Sequence, residues 1–380
     1  MPPSAAGILL RCTVQHGRVA AVELTPHRPY PVAKLLPGRT PAEALRLFAH
    51  LFALCPEAHG CAASAAIADA LGIEPPPALR AWQECRRRLE IVKENGLYLL
   101  RQQPPADPAP AQRLLATHHK LAQAMGGTAL YWPTDGAPVI DRAAIGAGLA
   151  ELEQGLAELC GEFWRTPNAD LGSIHRWQAG GDSPAARLLH RYAQAGWADF
   201  GRCAVQRLPE LPSDALPRHL ASADAEASPP IWQGQPRETG SYARWADTAL
   251  IRAARDRHSN GLYTRALARL AELKALFRGL AAALPSELPA LLPPPPRDGG
   301  VGAAQTEAPR GRLIHRVALA EGRIRDYRIL APTEWNFHPQ GLLPQALLNA
   351  PADERLAARI DALLRAVDPC VDFRLRLEHA

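Results

Sequence analysis

Apolar and polar residues alternate in two short runs in "GILLRCTVQHGRVAAVEL", which predicts a β-hairpin turning at His16 and Gly17. From residue 40 onward the period changes. Thr40 is placed to cap a helix with Pro41 in its first turn, and Ala44, Leu45, Leu47, Phe48, Leu51 and Phe52 recur at helical spacing. That helix delivers the chain to Cys55. Further helices are predicted near residues 62–71 and 77–94, before "QQPPADPAPAQ" breaks the pattern as a linker. Helical patterning then dominates at 111–125, 142–163, 183–193 and, as one long element, 241–280. These segments predict a bundle of antiparallel helices.

Residues 284–309 are too rich in Pro and Gly for a regular element and read as a long surface loop. After them "RLIHRVALAEGRIRDYRIL" reads as two strands joined at Glu321 and Gly322. "APTEWNFHPQG", residues 331–341, reads as a packed turn anchored by Trp335, and a last helix over 353–366 precedes "VDPCVDFRLRLEHA". No internal repeat is present.

The 380 residues allow two or three domains or one large one. A hydrophobic share of 47% and a charged share of 21% are those of an ordinary globular chain, whereas 37 prolines are about twice the usual share and point to linkers. The net charge of +5 is modest and the arginines are scattered along helices, which argues against nucleic acid as a partner. No stretch reaches the roughly 18 apolar residues of a membrane span and no leader pattern opens the chain, so a cytoplasmic protein without membrane insertion is expected. The seven cysteines are dispersed with no C-x-x-C pair, which argues against a disulfide framework or a zinc ribbon.

Candidate chemistry begins at "CPEAHG", where Cys55 and His59 stand four residues apart and would share a helix face. Taken alone, such a pair is more often core packing and a satisfied imidazole than a ligand set. Cys370 follows the turn-forming Asp368 and Pro369. Arg310 lies in "APRGRLIH", where Gly311 lets the backbone bend closely and a planar guanidinium can offer a forked pair of hydrogen bonds to an anion.

Together, these segments resemble, in order and over nearly the whole chain, the large subunit of [NiFe] hydrogenases. "LLPGRTPAEAL" followed by "CPEAHGCAA" is similar to the family's Gly-Arg-x-Pro segment and its R-x-C-G-x-C-P-x-x-H motif. "ETGSYAR" is similar to E-x-G-P-L-A-R, and "EAPRGRLIHRVALAEGRIRDYRILAPTEWN" follows the A-P-R-G-x-L-x-H, G-x-I-x-x-Y and P-T-x-W-N series. "DPCVDF" corresponds to the closing D-P-C-x-x-C. The resemblance implies an α+β fold, mainly helical, with a central helical bundle and a small N-terminal sheet. It also implies a single domain over 1–380, with the Cys55 region in 1–102, the bundle in 111–283, the loop in 284–309 and the Cys370 segment in 310–380.

Departures from the family pattern carry the functional expectation. Phe52 stands at the first position of the early cysteine pair and Phe373 at the second position of the late pair, leaving Cys55 and Cys370. His50 stands where the early motif has Arg, Arg376 where the last motif has His, and the chain ending at Ala380 implies no removable tail. A complete nickel-iron centre needs the missing thiolates, so the chain is expected not to be an enzyme. The pattern resembles HupK/HoxV-type accessory proteins of hydrogenase maturation. The resemblance implies a transient Fe(CN)2(CO) unit held by Cys55 and Cys370, with Arg310, Pro332, Thr333 and His59 around its diatomic ligands. HypC and HypD maturation proteins are implied as donors and the hydrogenase large subunit as recipient. A metal-free interaction chaperone, with the two phenyl rings plugging the cavity, is the alternative.

Overall fold

The computed structural model describes residues 7–27, 32–103, 107–132, 136–216, 229–289, 292 and 299–380. Strands β1 (Gly7–Gln15) and β2 (Arg18–His27) form the expected hairpin, with His16 and Gly17 at φ of 49° and 70° in the turn. Helix α1 (Pro41–Leu51) starts at a capping box in which Thr40 and Glu43 satisfy each other's backbone N–H groups. There follow α2 (Pro56–Ala70), α3 (Pro77–Arg101), α4 (Ala109–Ala124), α5 (Arg142–Cys160), the single turn α6 (Glu162–Arg165), α7 (Leu171–Gly180) and α8 (Pro184–Gln194). Short strands β3 (Gln206–Arg207) and β4 (Arg237–Glu238) precede α9 (Ser241–Trp245), α10 (Ala249–His258) and α11 (Leu262–Ala282). The last part contains β5 (Val301–Ala308), β6 (Gly311–Ala320), β7 (Arg323–Leu330), α12 (Pro332–Asn336), α13 (Leu342–Leu347), α14 (Leu356–Val367) and β8 (Asp372–His379).

Three segments correct the sequence reading. The expected loop over 284–309 contains β5, which pairs antiparallel with β6 from Val301 opposite Ala318 to Ala308 opposite Gly311. Its small and polar residues, GAAQTE, gave no strand signal. The helix expected over 241–280 is three helices. One break falls at Ser259, with φ of 52°, and at Gly261, where a Cβ would come within 2.6 Å of the Asp199 backbone. The turn over 331–341 contains α12, whose Trp335 is fully buried as the anchor.

Both chain ends meet in one sheet of order β2-β1-β8, in which β8 runs parallel to β1. The second sheet, β5-β6-β7, packs against α2. That contact is close because Gly302 has no side chain: a Cβ there would meet the Ala70 nitrogen at 2.2 Å and the Ala66 carbonyl oxygen at 2.3 Å. Helix α3 lies against α11 at the centre of the helical part, and Leu89, Val92, Leu97 and Leu99 share one buried apolar core with Leu267, Leu270 and Leu273. Helix α3 also faces α2, so the bundle and the second sheet clamp α2 from two sides. Among the described residues no helix is long and apolar enough to cross a membrane.

Candidate functional site

Cys55 is placed by the short passage between α1 and α2. Phe52 ends α1 with its N–H on the Phe48 carbonyl, and Pro56 opens α2, so Cys55 is the cap residue and its carbonyl accepts from His59 N–H at 3.2 Å. Pro at the first helical position fixes φ where no donor is needed. The start of α2 is then tied to α3: the Glu90 carboxylate accepts from the N–H groups of Glu57 and Ala58 at 2.9 and 3.0 Å. Burial pushes Glu90 up to about 8, with Lys93 pulling down and Glu57 pushing up. The Glu57 side chain is itself held by Arg86 and by the Tyr131 hydroxyl. Glu57 is thus an anchor of the helix that carries Cys55.

Cys370 arrives from the other end of the chain. Helix α14 stops at Asp368, which takes the left-handed conformation with φ of 57° and returns its N–H to Leu364. Pro369 follows, and the Cys370 thiol lies 3.1 Å from the Thr333 hydroxyl. Thr333, next to Pro332 in the first turn of α12, also accepts the Cys370 N–H at 3.4 Å.

Arg310 occupies the tight turn between β5 and β6. Gly311 takes φ of 130°, and a Cβ there would strike Thr239. The Arg310 carbonyl accepts from Asn336 at 3.2 Å, which fixes the turn to α12. Its guanidinium is 5% exposed, donates from Nη2 to Glu94 at 3.2 Å, and has Nε 3.4 Å from Asp368 Oδ2. Nη1 is buried with no hydrogen-bond partner among the described residues. Such an orphaned donor costs free energy until an acceptor arrives.

The three groups sense one another electrostatically. Burial, then the charges of Glu90 and Cys370, push the Cys55 thiol well above the ordinary range, while Arg310 opposes them. Burial works against the charge on Arg310, but Asp368 and Glu94, followed by Cys55 and Cys370, hold it above its ordinary value. Two thiols 315 positions apart in sequence (370 − 55) therefore share one neighbourhood with one guanidinium and one hydroxyl.

His59 turns its Nδ1 to a second imidazole. Its Nδ1 is 3.0 Å from His315 Nε2, and His315 Nδ1 is 2.7 Å from the Tyr327 hydroxyl. Phe52 lies on one face of the His59 ring with centroids 3.5 Å apart. Burial, and then the neighbouring His315, drive the His59 pKa well down, and burial takes His315 down to about 3. Both rings are neutral at physiological pH. Among the described residues no group of three or more His, Cys, Asp or Glu side chains is arranged to hold a metal ion.

The sequence profile described as nickel-dependent hydrogenase matches residues 252–372. The hydrogenase expression/formation protein HupK of Azotobacter vinelandii is 32% identical over 97% of this chain and 97% of its own. HoxV of Cupriavidus necator, also a hydrogenase expression/formation protein, is 32% identical over 96% of this chain and 94% of its own. The chain belongs to the HupK/HoxV family of hydrogenase expression/formation proteins. Its fold is that of hydrogenase large subunits: a [NiFeSe] hydrogenase from Desulfovibrio vulgaris Hildenborough superposes with a TM-score of 0.69 at 17% identity, covering 97% of this chain and 99% of that one.

In this HupK/HoxV-family chain Phe52 and Phe373 have different surroundings. Phe52 stacks on His59, whereas Phe373 is on β8 opposite Ile8, packed with the partly buried residues of the main core. Sequence reasoning missed Glu94 and Glu90, which look like surface charges of an amphipathic helix until α3 proves buried along its last half. It quoted His315 within a motif without giving it a role. The one available signal was a histidine at an inward position of a strand, flanked there by Leu313, Ile314 and Val317.

Proposed function

We propose that this protein is a non-catalytic accessory factor of hydrogenase maturation, and that it carries an Fe(CN)2(CO) unit on Cys55 and Cys370 before the unit passes to a hydrogenase large subunit. The names of its relatives support the accessory role. The Arg310 guanidinium carries the cargo reading: it is buried beside two thiols with an unsatisfied Nη1 donor. Iron is a metal that thiolates hold well. Two cyanides and one carbonyl fill three positions of an octahedral iron, and two thiolates leave a ferrous unit dianionic. A buried cation with a spare donor is the complement of that charge, since a charge-assisted bond to a cyanide nitrogen is among the stronger hydrogen bonds.

Thr333, beside Cys370, offers a weaker hydroxyl bond, and Pro332 an apolar wall. Both thiols lose their protons when iron binds, so loading releases protons and is favoured by rising pH. Two protein ligands hold a metal less firmly than four, which suits a unit that must be passed on. HypC and HypD are the proposed donors, within the cytoplasm.

The experiment is an infrared spectrum with an iron assay, on protein purified without oxygen from a host with a complete maturation system. Cyanide and carbonyl bands with about one iron per chain, lost in Cys55→Ser and Cys370→Ser variants that still fold, are expected. Iron-free protein without such bands, and full hydrogenase maturation with Cys55→Ser, would replace this reading by a metal-free chaperone.

A further inference from the structure

We propose that Tyr327, acting through His315, holds His59 in the one neutral tautomer whose Nε2 carries the proton, which makes His59 a fixed hydrogen-bond donor and removes it as a metal ligand. The proposal concerns the metal-free protein and does not depend on which cargo is carried.

The argument starts at the tyrosine. Its hydroxyl lies 2.7 Å from His315 Nδ1 and has no other hydrogen-bond partner among the described residues. If His315 Nδ1 held the proton, the phenol oxygen would accept it and the buried O–H would be left with nothing to bond. An orphaned buried donor is the costlier arrangement, so Tyr327 donates and Nδ1 accepts. A neutral imidazole then carries its proton on the other nitrogen. His315 Nε2–H therefore donates to His59 Nδ1, 3.0 Å away, and the His59 proton is confined to Nε2, which is not among the buried atoms left without a partner.

Double protonation would break this order, and the surroundings oppose it. His315 is fully buried, and His59 and Tyr327 are each 3% exposed. The chain is also sheathed by aromatic rings: Phe48 has centroids 5.4 Å from His315 and 5.5 Å from Tyr327, and Phe52 covers His59. No acidic side chain is hydrogen-bonded to any of the three residues among those described.

The consequence is a matter of metal choice. Zinc and similar divalent ions bind imidazole through a bare nitrogen lone pair, and two thiolates plus one such nitrogen make a tight site. His59 is the histidine nearest in sequence to Cys55, but one of its nitrogens is occupied as an acceptor and the other is capped by a proton. The thiol pair stays a two-sulfur site.

The test is nitrogen-15 NMR of the histidine rings in the metal-free protein. Directly bonded protons on Nε2 of both His59 and His315, and a Tyr327 hydroxyl proton coupled to His315 Nδ1, are expected. One equivalent of zinc, used as the probe, leaves the His59 Nε2 proton in place. In Tyr327→Phe the order is released, and a second His59 form with a bare Nε2 emerges. A bare Nε2 on His59 in the unaltered protein, its deprotonation by zinc, or tautomers unchanged in Tyr327→Phe would each overturn the proposal. Should that variant fail to fold, the hydroxyl coupling in the unaltered protein decides the role of Tyr327, and its absence overturns it.

Discussion

The phenyl ring of Phe52 lies face to face with the imidazole of His59, centroids 3.5 Å apart and planes 10° from parallel. Phe52 ends α1 and His59 lies one turn into α2, so the stack joins the two helices across the passage that holds Cys55. Phe48, one turn earlier on α1, stacks with both rings at 5.6 and 6.2 Å. Phe52 is thus a packing residue that ties α1 to α2 on either side of Cys55.

Replacing Phe52 by Ala removes that stack. A fully buried Phe→Ala change costs about 3–5 kcal/mol, and the partial exposure of Phe52 reduces the expectation to about 1–3 kcal/mol. Urea denaturation measures it. A loss under about 0.5 kcal/mol would mean that the ring is solvated and joins nothing.

The paired imidazoles predict sensitivity to acid. His59 and His315 have folded pKa values below that of an unfolded histidine near 6.5, His315 at about 3. The unfolded chain therefore binds these protons first. Their contribution is fully present above pH 6.5 and is lost as pH falls toward the folded values, by about 1.4 kcal/mol per pH unit for each ring. Urea midpoints at pH 7, 6 and 5 should fall steeply, and His315→Gln should flatten the slope while lowering the midpoint at pH 7. Parallel slopes for the two proteins would show that other groups govern acid unfolding.

How much of this was legible follows from what each residue depends on. The hairpin at His16–Gly17 and the Thr40 cap of α1 are local, set by turn and cap chemistry within a few residues, and both were read correctly, although the reciprocal bond from Glu43 was not. Strand β5 was not, because GAAQTE forms a strand only by pairing with β6 and lying over α2 at Gly302. Strand β8 depends on β1, over 350 residues earlier (372 − 15 = 357 at the nearest ends). The pairing of Cys55 with Cys370 came from motif order alone, since spacing cannot bring distant cysteines together. The His59–His315–Tyr327 chain was invisible, because no local pattern marks which buried ring nitrogen meets which hydroxyl.

Thr333 supplies the hydroxyl beside Cys370, and Thr333→Val keeps the shape while deleting the hydrogen bond. The expected loss of stability is about 0.5–1.5 kcal/mol. The larger effect should be local, with alkylation of Cys370 faster by several-fold while that of Cys55 is unchanged. Mass spectrometry of partly alkylated protein separates the two thiols. Equal acceleration at both would indicate general loosening instead of a specific contact.

Arg310 should separate stability from cargo binding. Breaking a buried ion pair from one side typically costs about 3–5 kcal/mol because a charge is left without its partner. Here Glu94 keeps Lys93 at 3.0 Å and Asp368 keeps Arg269 at 3.5 Å, so neither carboxylate is abandoned when Arg310 is removed. Arg310→Gln is therefore expected to lower stability by a smaller amount, about 1–3 kcal/mol, and to leave the fold intact. The cyanide and carbonyl infrared bands should nevertheless disappear, because glutamine carries no charge to meet a dianionic iron unit. Arg310→Lys retains the charge without the planar fork and should hold the unit weakly, with cyanide bands shifted from those of the unaltered protein. Full bands at unchanged frequencies in Arg310→Gln would show that the spare guanidinium donor serves the fold alone.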